Sequence, residues 1–369
     1  MTPPPPPLPA SYRDARDAFR ARAAALGAAL SAVPVGVATS DDGTPLALTI
    51  DVAVLGAADA PAALFIASGT HGVEGYAGAL CQLRLFDTWH ARLAELPLAC
   101  VLVHAVNPWG FHHDSRVTAE GVDLNRNFVD FPRAPGEPSA YARYHDVLVT
   151  RYRPLPGGAW NELRFLANGL TAARRRALQA AITAGQYDHP DGLFYGGSAP
   201  TASRLGWEGI VRAHAAGRRR IGLLDIHTGL GPRGHGELIS TLPPSAPQFA
   251  TMQSWFGGEL VSMATGESVS AAVDGTLTAG FGRIAPCDSH AVGLEFGTCA
   301  PLAVLAALRA DQRARNLGAA CPPAERDRVR RRMRDAFRIA DDGWRDAVVR
   351  RFDEVAGRMA RGLSGLTGS

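Results

Sequence analysis

Two short stretches carry residue types suited to binding a metal. Ser68-Gly-Thr-His71-Gly-Val-Glu74-Gly75 and Leu223-Leu-Asp225-Ile-His227-Thr-Gly229 each follow an apolar run that reads as a buried strand. His71, Glu74 and His227 make a set of two histidines and one carboxylate. That is the ligand set of a catalytic zinc site with one position open for water. Three residues of separation put His71 and Glu74 on one side of a tight turn or first helical turn. Glycines at 69, 72 and 75 let the backbone wrap closely around an ion. Taken alone, His-x-x-Glu is as readily a structural pair; the glycines and the preceding strand favour a metal.

Asp225 and His227 face the same way if they lie on a strand. Asp225 then either orients the neighbouring ligand as a supporting carboxylate or caps the loop. Glu295 sits in the apolar segment Val292-Gly-Leu-Glu295-Phe296. A carboxylate there is costly unless paired or functional. Burial raises its pKa toward neutrality, which suits a general base or acid. The competing reading is a buried ion pair.

These residues need a frame, and the hydropathy pattern supplies one. Residues 12–30 have helical spacing, and 35–54 read as two strands around Asp41-Asp-Gly-Thr44. Apolar strands are predicted at 62–68, 98–106, 220–226 and 291–296, and helices at 75–93, 164–182 and 203–214. Residues 243–263 read as a loop followed by a helix, and 301–308 as the start of another. Residues 131–160 are rich in proline and glycine and read as a surface insertion. From 323 to 363 the chain is charged and helical, with Val329, Met333, Phe337, Ile339, Trp344, Val348 and Phe352 as a core-facing stripe. Buried strands alternating with helices imply an α/β fold: a mixed, largely parallel twisted sheet with helices on both faces. Ligands in such sheets bind beyond the carboxyl ends of the strands, and His71, Asn107, His227 and Glu295 all fall at or after such ends. The predicted organisation is a disordered proline-rich tail at 1–11, a catalytic domain at 12–320 and a helical extension at 321–369 packed on it.

Composition removes several chemistries. The 369 residues are 46% hydrophobic, enough for a sizeable core, and the net charge of +3 gives no case for nucleic acid or membrane. All 38 basic residues are arginine. Without lysine there is no Schiff base, no phosphate-loop lysine and no Ser-Lys dyad. Five cysteines with no CxxC give no disulfide framework and fit a reducing compartment; each reads as a small buried apolar residue. The first residues lack the basic and apolar regions of a signal peptide, and no apolar run is long enough to span a membrane. The expected setting is cytoplasmic.

The ordered set of His-x-x-Glu, a later arginine, Asp-x-Asn-Arg, Asp-x-His and a late glutamate resembles the zinc carboxypeptidase superfamily. That superfamily includes the aspartoacylase and succinylglutamate desuccinylase branch. The phrases GTHGVEG, GVDLNRNF, LLDIHTGLGPRGHGEL and LEFGT are more similar to a bacterial branch of predicted metallopeptidases. The resemblance spans roughly residues 45 to 310, and its specificity lies in the order and spacing of the set. It implies a carboxypeptidase-like fold with Zn2+ held by His71, Glu74 and His227. It implies that Glu295 activates the zinc-bound water, that Arg116 stabilises the oxyanion, and that Asn125 and Arg126 hold a substrate carboxylate. Asp123 is expected to brace the loop. One departure stands out: the superfamily's tyrosine close before the catalytic glutamate has no counterpart in 281–294. Tyr195 is a substitute or, the favoured reading, a packing residue.

Gly229-Leu-Gly-Pro-Arg-Gly234 matches a dinucleotide fingerprint, but Pro232 interrupts the turn and the following segment reads as a strand. His235 is a rival ligand on a glycine-rich rim, and His112 and His113 are expected to line the pocket beside Arg116. His104, His145 and His290 read as structural, and the arginine runs at 218–220 and 330–334 as solvated faces. The predicted partner is a small molecule or short peptide with a free carboxylate. Three functions remain: a zinc exopeptidase, an N-acyl amino acid amidohydrolase, and a non-catalytic metal- or carboxylate-binding protein. The sequence leaves oligomeric state open.

Overall fold

The strands set the frame for the site. In this computed structural model the described residues are 4–40, 43–131, 139–149, 163–167, 171–266, 268, 273–285 and 287–365. They form β1 (Ala29–Thr39), β2 (Pro45–Gly56), β3 (Ala62–Ala67), β4 (Leu98–His104), β5 (Arg220–Arg233), β6 (Gly236–Ser240), β7 (Leu260–Ser262) and β8 (Asp288–Gly297). These join in one mixed sheet in the order β1-β2-β4-β3-β5-β8-β6-β7. The central β4, β3, β5 and β8 are mutually parallel. β3 and β4 are buried along their whole length, because a parallel strand covered on both faces must be apolar on both. The sheet edge at β1 is largely exposed. Pro34 lies there at a register shift, since a residue without an N–H is tolerated at edges and bulges.

The helices are α1 (Tyr12–Ala25), α2 (Gly75–Ala94), α3 (Pro108–His112), α4 (His145–Leu148), α5 (Ala172–Thr183), α6 (Ala202–Ala215), α7 (Pro247–Trp255), α8 (Leu277–Ile284), α9 (Pro301–Leu317), α10 (Pro323–Phe337) and α11 (Asp342–Leu363). α1, α2, α7 and α11 cover one face of the sheet through Phe19, Phe86, Trp89, Phe249, Trp344 and Phe352. α6 and α8 cover the other through Trp207, Ile210, Leu277 and Phe281. α5, α9 and α10 build a third apolar cluster with Val73, next to Glu74.

The predicted α/β architecture is present, and the differences from the sequence reading have local causes. β7 is three residues long, too short to show alternation. α8 contains two glycines, which lower helix propensity, and is started by a cap from Thr276 to the Ala279 N–H. The charged C-terminal region is two helices. Asp341 caps the second, and its stripe Trp344, Val348, Phe352, Val355, Met359 and Leu363 lies in the main core. Pro6 and Pro9 of the proline-rich stretch are buried, and Leu8 packs against the core. Much of the insertion at 131–160 lies outside the described residues; Tyr141 and Leu148 within it are buried. All five cysteines are free thiols. No helix among the described residues is long and apolar enough to cross a membrane.

Arg330 and Arg334, read from sequence as a solvated face, instead bind the buried Asp114 at 3.1 and 3.0 Å. Tyr76 donates to the same carboxylate at 2.7 Å. Arg218 likewise donates to the Ala60 and His214 carbonyls. Local sequence cannot show Asp114 or Ala60 as partners, because they come from distant segments.

Candidate metal centre

The carboxyl ends of β3, β4, β5 and β8 lie along one edge of the sheet, and the functional candidates gather there. After β3 the chain makes a 3-10 turn, Gly72–Glu74. Gly72 N–H donates to Arg116 O at 3.2 Å and Val73 N–H to Ser115 O at 2.9 Å. The turn bearing His71 and Glu74 is therefore stitched to the loop bearing Arg116. Asn107, after β4, accepts from Gly110 N–H at 3.0 Å and donates to Arg116 O at 3.2 Å. Asp225 and His227 are both on β5, which continues beyond its predicted end, and His227 pairs in register with Glu295 on β8.

His71, Glu74 and His227 are all buried, and one ligand atom from each lies within 4.8 Å of the others. Glu74 stands between the imidazoles. His71 Nδ1 is 2.9 Å from Oε1 and His227 Nδ1 is 2.9 Å from Oε2. The opposite ring nitrogens meet separate carboxylates: His71 Nε2 to Asp123 at 3.1 Å, and His227 Nε2 to Asp225 at 2.7 Å. A carboxylate only accepts, so a proton on each Nε2 satisfies Asp123 and Asp225, and the Nδ1 atoms beside Glu74 are the ones a metal held with Glu74 would take. This is the carboxylate–histidine arrangement that sets tautomer and ring orientation at metal sites. Asp123 also accepts from Arg116 Nε at 2.9 Å and from Asn125 N–H at 3.0 Å. It braces the loop, as expected, and also holds His71. Thr70 Oγ1 donates to Asp225 at 2.8 Å.

The electrostatics suit a cation. Glu74, Asp123 and Asp225 crowd around two imidazoles, with Arg116 Nη1 3.3 Å from Glu74. Burial opposes ionisation of Glu74, but His71 and His227 outweigh it and hold the carboxyl well below its usual range. Burial also opposes ionisation of Asp123, and the Arg116 charge overcomes it. His227 is pushed the other way: burial would lower it, yet Asp225 and Glu74 raise it well above the ordinary histidine value. A divalent ion at the two Nδ1 atoms and Glu74 would place positive charge among these carboxylates, so the donor set fits zinc. Glu295 accepts from Leu230 N–H at 2.9 Å. Burial, then the nearby Glu74 charge, pushes its carboxyl up to about 7.

His71, Glu74, Arg116, Asp225, His227 and Glu295 line a cavity of about 710 Å³ that also takes in Asn125 and Arg126. Asn125 Oδ1 accepts from Leu277 N–H at 2.7 Å, at the start of α8. Arg126 donates from Nη1 to Asn125 O and from Nη2 to Thr183 O, and its buried Nε has no partner among the described residues. Phe194, not singled out in the sequence, is held at φ 55° with Arg116 and Arg126 over its ring at 5.1 and 5.8 Å. Bulky residues in that backbone region are strained and cluster at functional sites. Its only sequence signal was the glycine-rich loop around it. Tyr195 does not line the cavity; its carbonyl accepts from Asp123 N–H at 2.7 Å. His235 is exposed and outside the metal cluster. His112 and His113 do not line the cavity, contrary to expectation: His112 reaches Thr39 O and His113 packs on Trp109. The glycine-rich run after His227 leads into β6, not a helix.

Asp225→Asn should lower zinc affinity about 10- to 100-fold, measured by competition with a chromophoric chelator. Wild-type affinity would show that Asp225 does not orient His227.

A family model described as "Protein of unknown function (DUF2817)" matches residues 9–351. The chain belongs to the DUF2817 family. No curated protein matches the DUF2817 chain. Among solved structures, thrombin activatable fibrinolysis inhibitor aligns with a TM-score of 0.54 at 11% identity, over 96% of the DUF2817 chain and 74% of its own. Carboxypeptidase A from Helicoverpa armigera aligns at 0.42 and 14% identity, over 88% and 73% of the two chains. A succinylglutamatedesuccinylase/aspartoacylase from Rhodobacter sphaeroides aligns at 0.37 and 16%, over 73% and 57%. At these identities the likeness is one of fold. The DUF2817 chain has a metallocarboxypeptidase-like fold, as the sequence resemblance implied.

Proposed function

We propose that this DUF2817 chain is a zinc-dependent hydrolase that cleaves an amide or peptide bond in a small carboxylate-bearing substrate. The observation that carries the reading is the convergence of His71, Glu74 and His227, with Glu295 on the adjoining strand. Zinc, when bound to those three residues, would polarise a carbonyl and make water more acidic. Glu295, raised toward neutrality, takes a proton from the attacking water and returns it to the leaving amine. Arg116, anchored by Asp123, directs its positive charge toward the oxyanion that develops. Asn125 and Arg126 receive the substrate carboxylate. Both Arg126 Nη atoms donate to backbone carbonyls, so what Arg126 offers the carboxylate is its positive charge at the cavity wall. Release of a terminal residue from a peptide and removal of an N-acyl group use these same residues in the same way. A binding protein would gain nothing from a partly buried, high-pKa carboxylate beside the ligands.

The purified chain should carry about one zinc, measured by elemental analysis. It should hydrolyse members of a panel of dipeptides and N-acyl amino acids, and lose that activity to a chelator. A chain that binds no zinc, and whose hydrolysis ignores both chelator and added metal, would rule out the proposal.

A further inference from the structure

The cavity is sharply divided by charge. Among its described lining residues the ionisable groups are His71, Glu74, Arg116, Arg126, Asp225, His227 and Glu295, all at the metal end. Away from them one wall, built by 163–167, α5 and α9, presents Phe165, Leu178, Ile182, Leu305 and Leu308. The rest of the lining away from the metal end, from β6, Thr241, Met263 and residues 273–278, is neutral and mixed, with Ile239 and Thr276 among it. Arg126 stands where the two meet: its Nη2 reaches Thr183 at the end of α5, and Gly275 packs on its backbone. At the mouth, Leu166 is 62% and Leu302 is 73% exposed. Large apolar side chains grouped at the entrance of an apolar wall mark a surface that a partner covers.

We infer that the occupant of this wall is an extended hydrocarbon on the acyl side of the scissile amide. The substrate is then an N-acyl amino acid with a medium or long acyl chain. This rests on the hydrolase reading above. The carboxylate sits at Asn125 and Arg126, the amide carbonyl at the metal end, and the chain runs along Leu178, Ile182, Leu305 and Leu308 toward Leu302. The volume decides against a small acyl group: about 710 Å³ is the size of a site for a drug-sized ligand, and an acetyl group would leave the apolar wall wet. Hydrolysis adds water across the amide, so the C–N bond breaks to give a fatty carboxylate and a free amino acid, and the amine takes the proton held by Glu295. An apolar peptide presents related chemistry with side chains in place of the hydrocarbon, and the test below separates the two.

The zinc-loaded chain is assayed on N-acetyl, N-hexanoyl, N-decanoyl and N-tetradecanoyl derivatives of one neutral amino acid. Peptides ending in the same residue, with Leu or Phe before it, are assayed alongside. In parallel, calorimetry measures binding of the same compounds to zinc-loaded Glu295→Gln. The expected result is a kcat/KM that climbs by up to about fourfold per methylene buried, with the decanoyl compound well above every peptide. Leu302→Asp, at an exposed position that leaves the fold intact, should cut the decanoyl-to-acetyl ratio about tenfold. Equal efficiency on acetyl and decanoyl compounds, or preference for the peptides, overturns the inference and leaves the hydrolase reading standing. Absence of hydrolysis throughout, with an affinity that still climbs with chain length, overturns the hydrolase reading and keeps the apolar subsite. Flat affinity and no hydrolysis overturn both.

Discussion

Glu295→Gln should keep zinc and lower kcat/KM about 10²- to 10⁴-fold on any amide substrate the wild type cleaves. Glutamine preserves the shape and still accepts from Leu230 N–H, but it cannot take a proton from water. Zinc content and turnover are measured on the same preparation. Undiminished turnover with zinc bound would remove Glu295 from its role as base. The same substitution has a second signature, in the metal-free chain. The folded-state pKa of Glu295 is raised to about 7 from an ordinary 4.5, so the folded chain holds that proton more tightly than the unfolded chain does. The Glu295 contribution therefore lowers stability as pH rises from about 4.5 to about 7, and the penalty is constant above that. Glu295→Gln removes it. Denaturant midpoints of chelated wild type and variant should differ little near pH 4.5, and the variant should be the more stable above pH 7. Parallel midpoints across this range would mean that Glu295 is not held near neutrality.

Gly72→Ala should be among the most damaging single changes in the chain. A Cβ there would lie 2.0 Å from the Gly110 carbonyl carbon and 2.2 Å from Phe111 N, both backbone atoms of the α3 segment. Backbone cannot rotate aside as a side chain can, so the turn must move. The cost is about 3 kcal/mol, at the upper end for overpacking, and the movement displaces His71 and Glu74 from His227. Thermal denaturation and zinc stoichiometry should both fall. A Gly72→Ala chain with wild-type melting temperature and full zinc would show that the turn and α3 are not packed together in this way. Gly78→Ala, whose Cβ would meet Ser68 Cβ at 2.3 Å, tests the next turn of the chain away from the ligands. It should cost stability while sparing zinc more than Gly72→Ala does.

The sequence by itself determined the parts that depend on local pattern. The central strands are continuous apolar runs because both faces are covered. Glycines at 69, 72 and 75 marked a tight turn, and His71, Glu74, Asp225, His227 and Glu295 were recognisable from strand-end placement and from the cost of burying a carboxylate. What only the tertiary structure decided depends on register and on segments far apart in the chain. Asp123 meets His71 across 52 residues, and Thr70 meets Asp225 across 155; no spacing rule connects such pairs. Which ring nitrogen faces the ion site follows from those partners. Phe194 beneath two arginines, the two arginines of α10 on Asp114, and α11 within the main core follow from how helices dock on the sheet. Periodicity tells a helix which face to bury, but not against what. The apolar wall of the cavity is the clearest case: α5, α9 and residues 163–167 each bring ordinary amphipathic side chains, and only their meeting beside the candidate metal ligands makes a pocket.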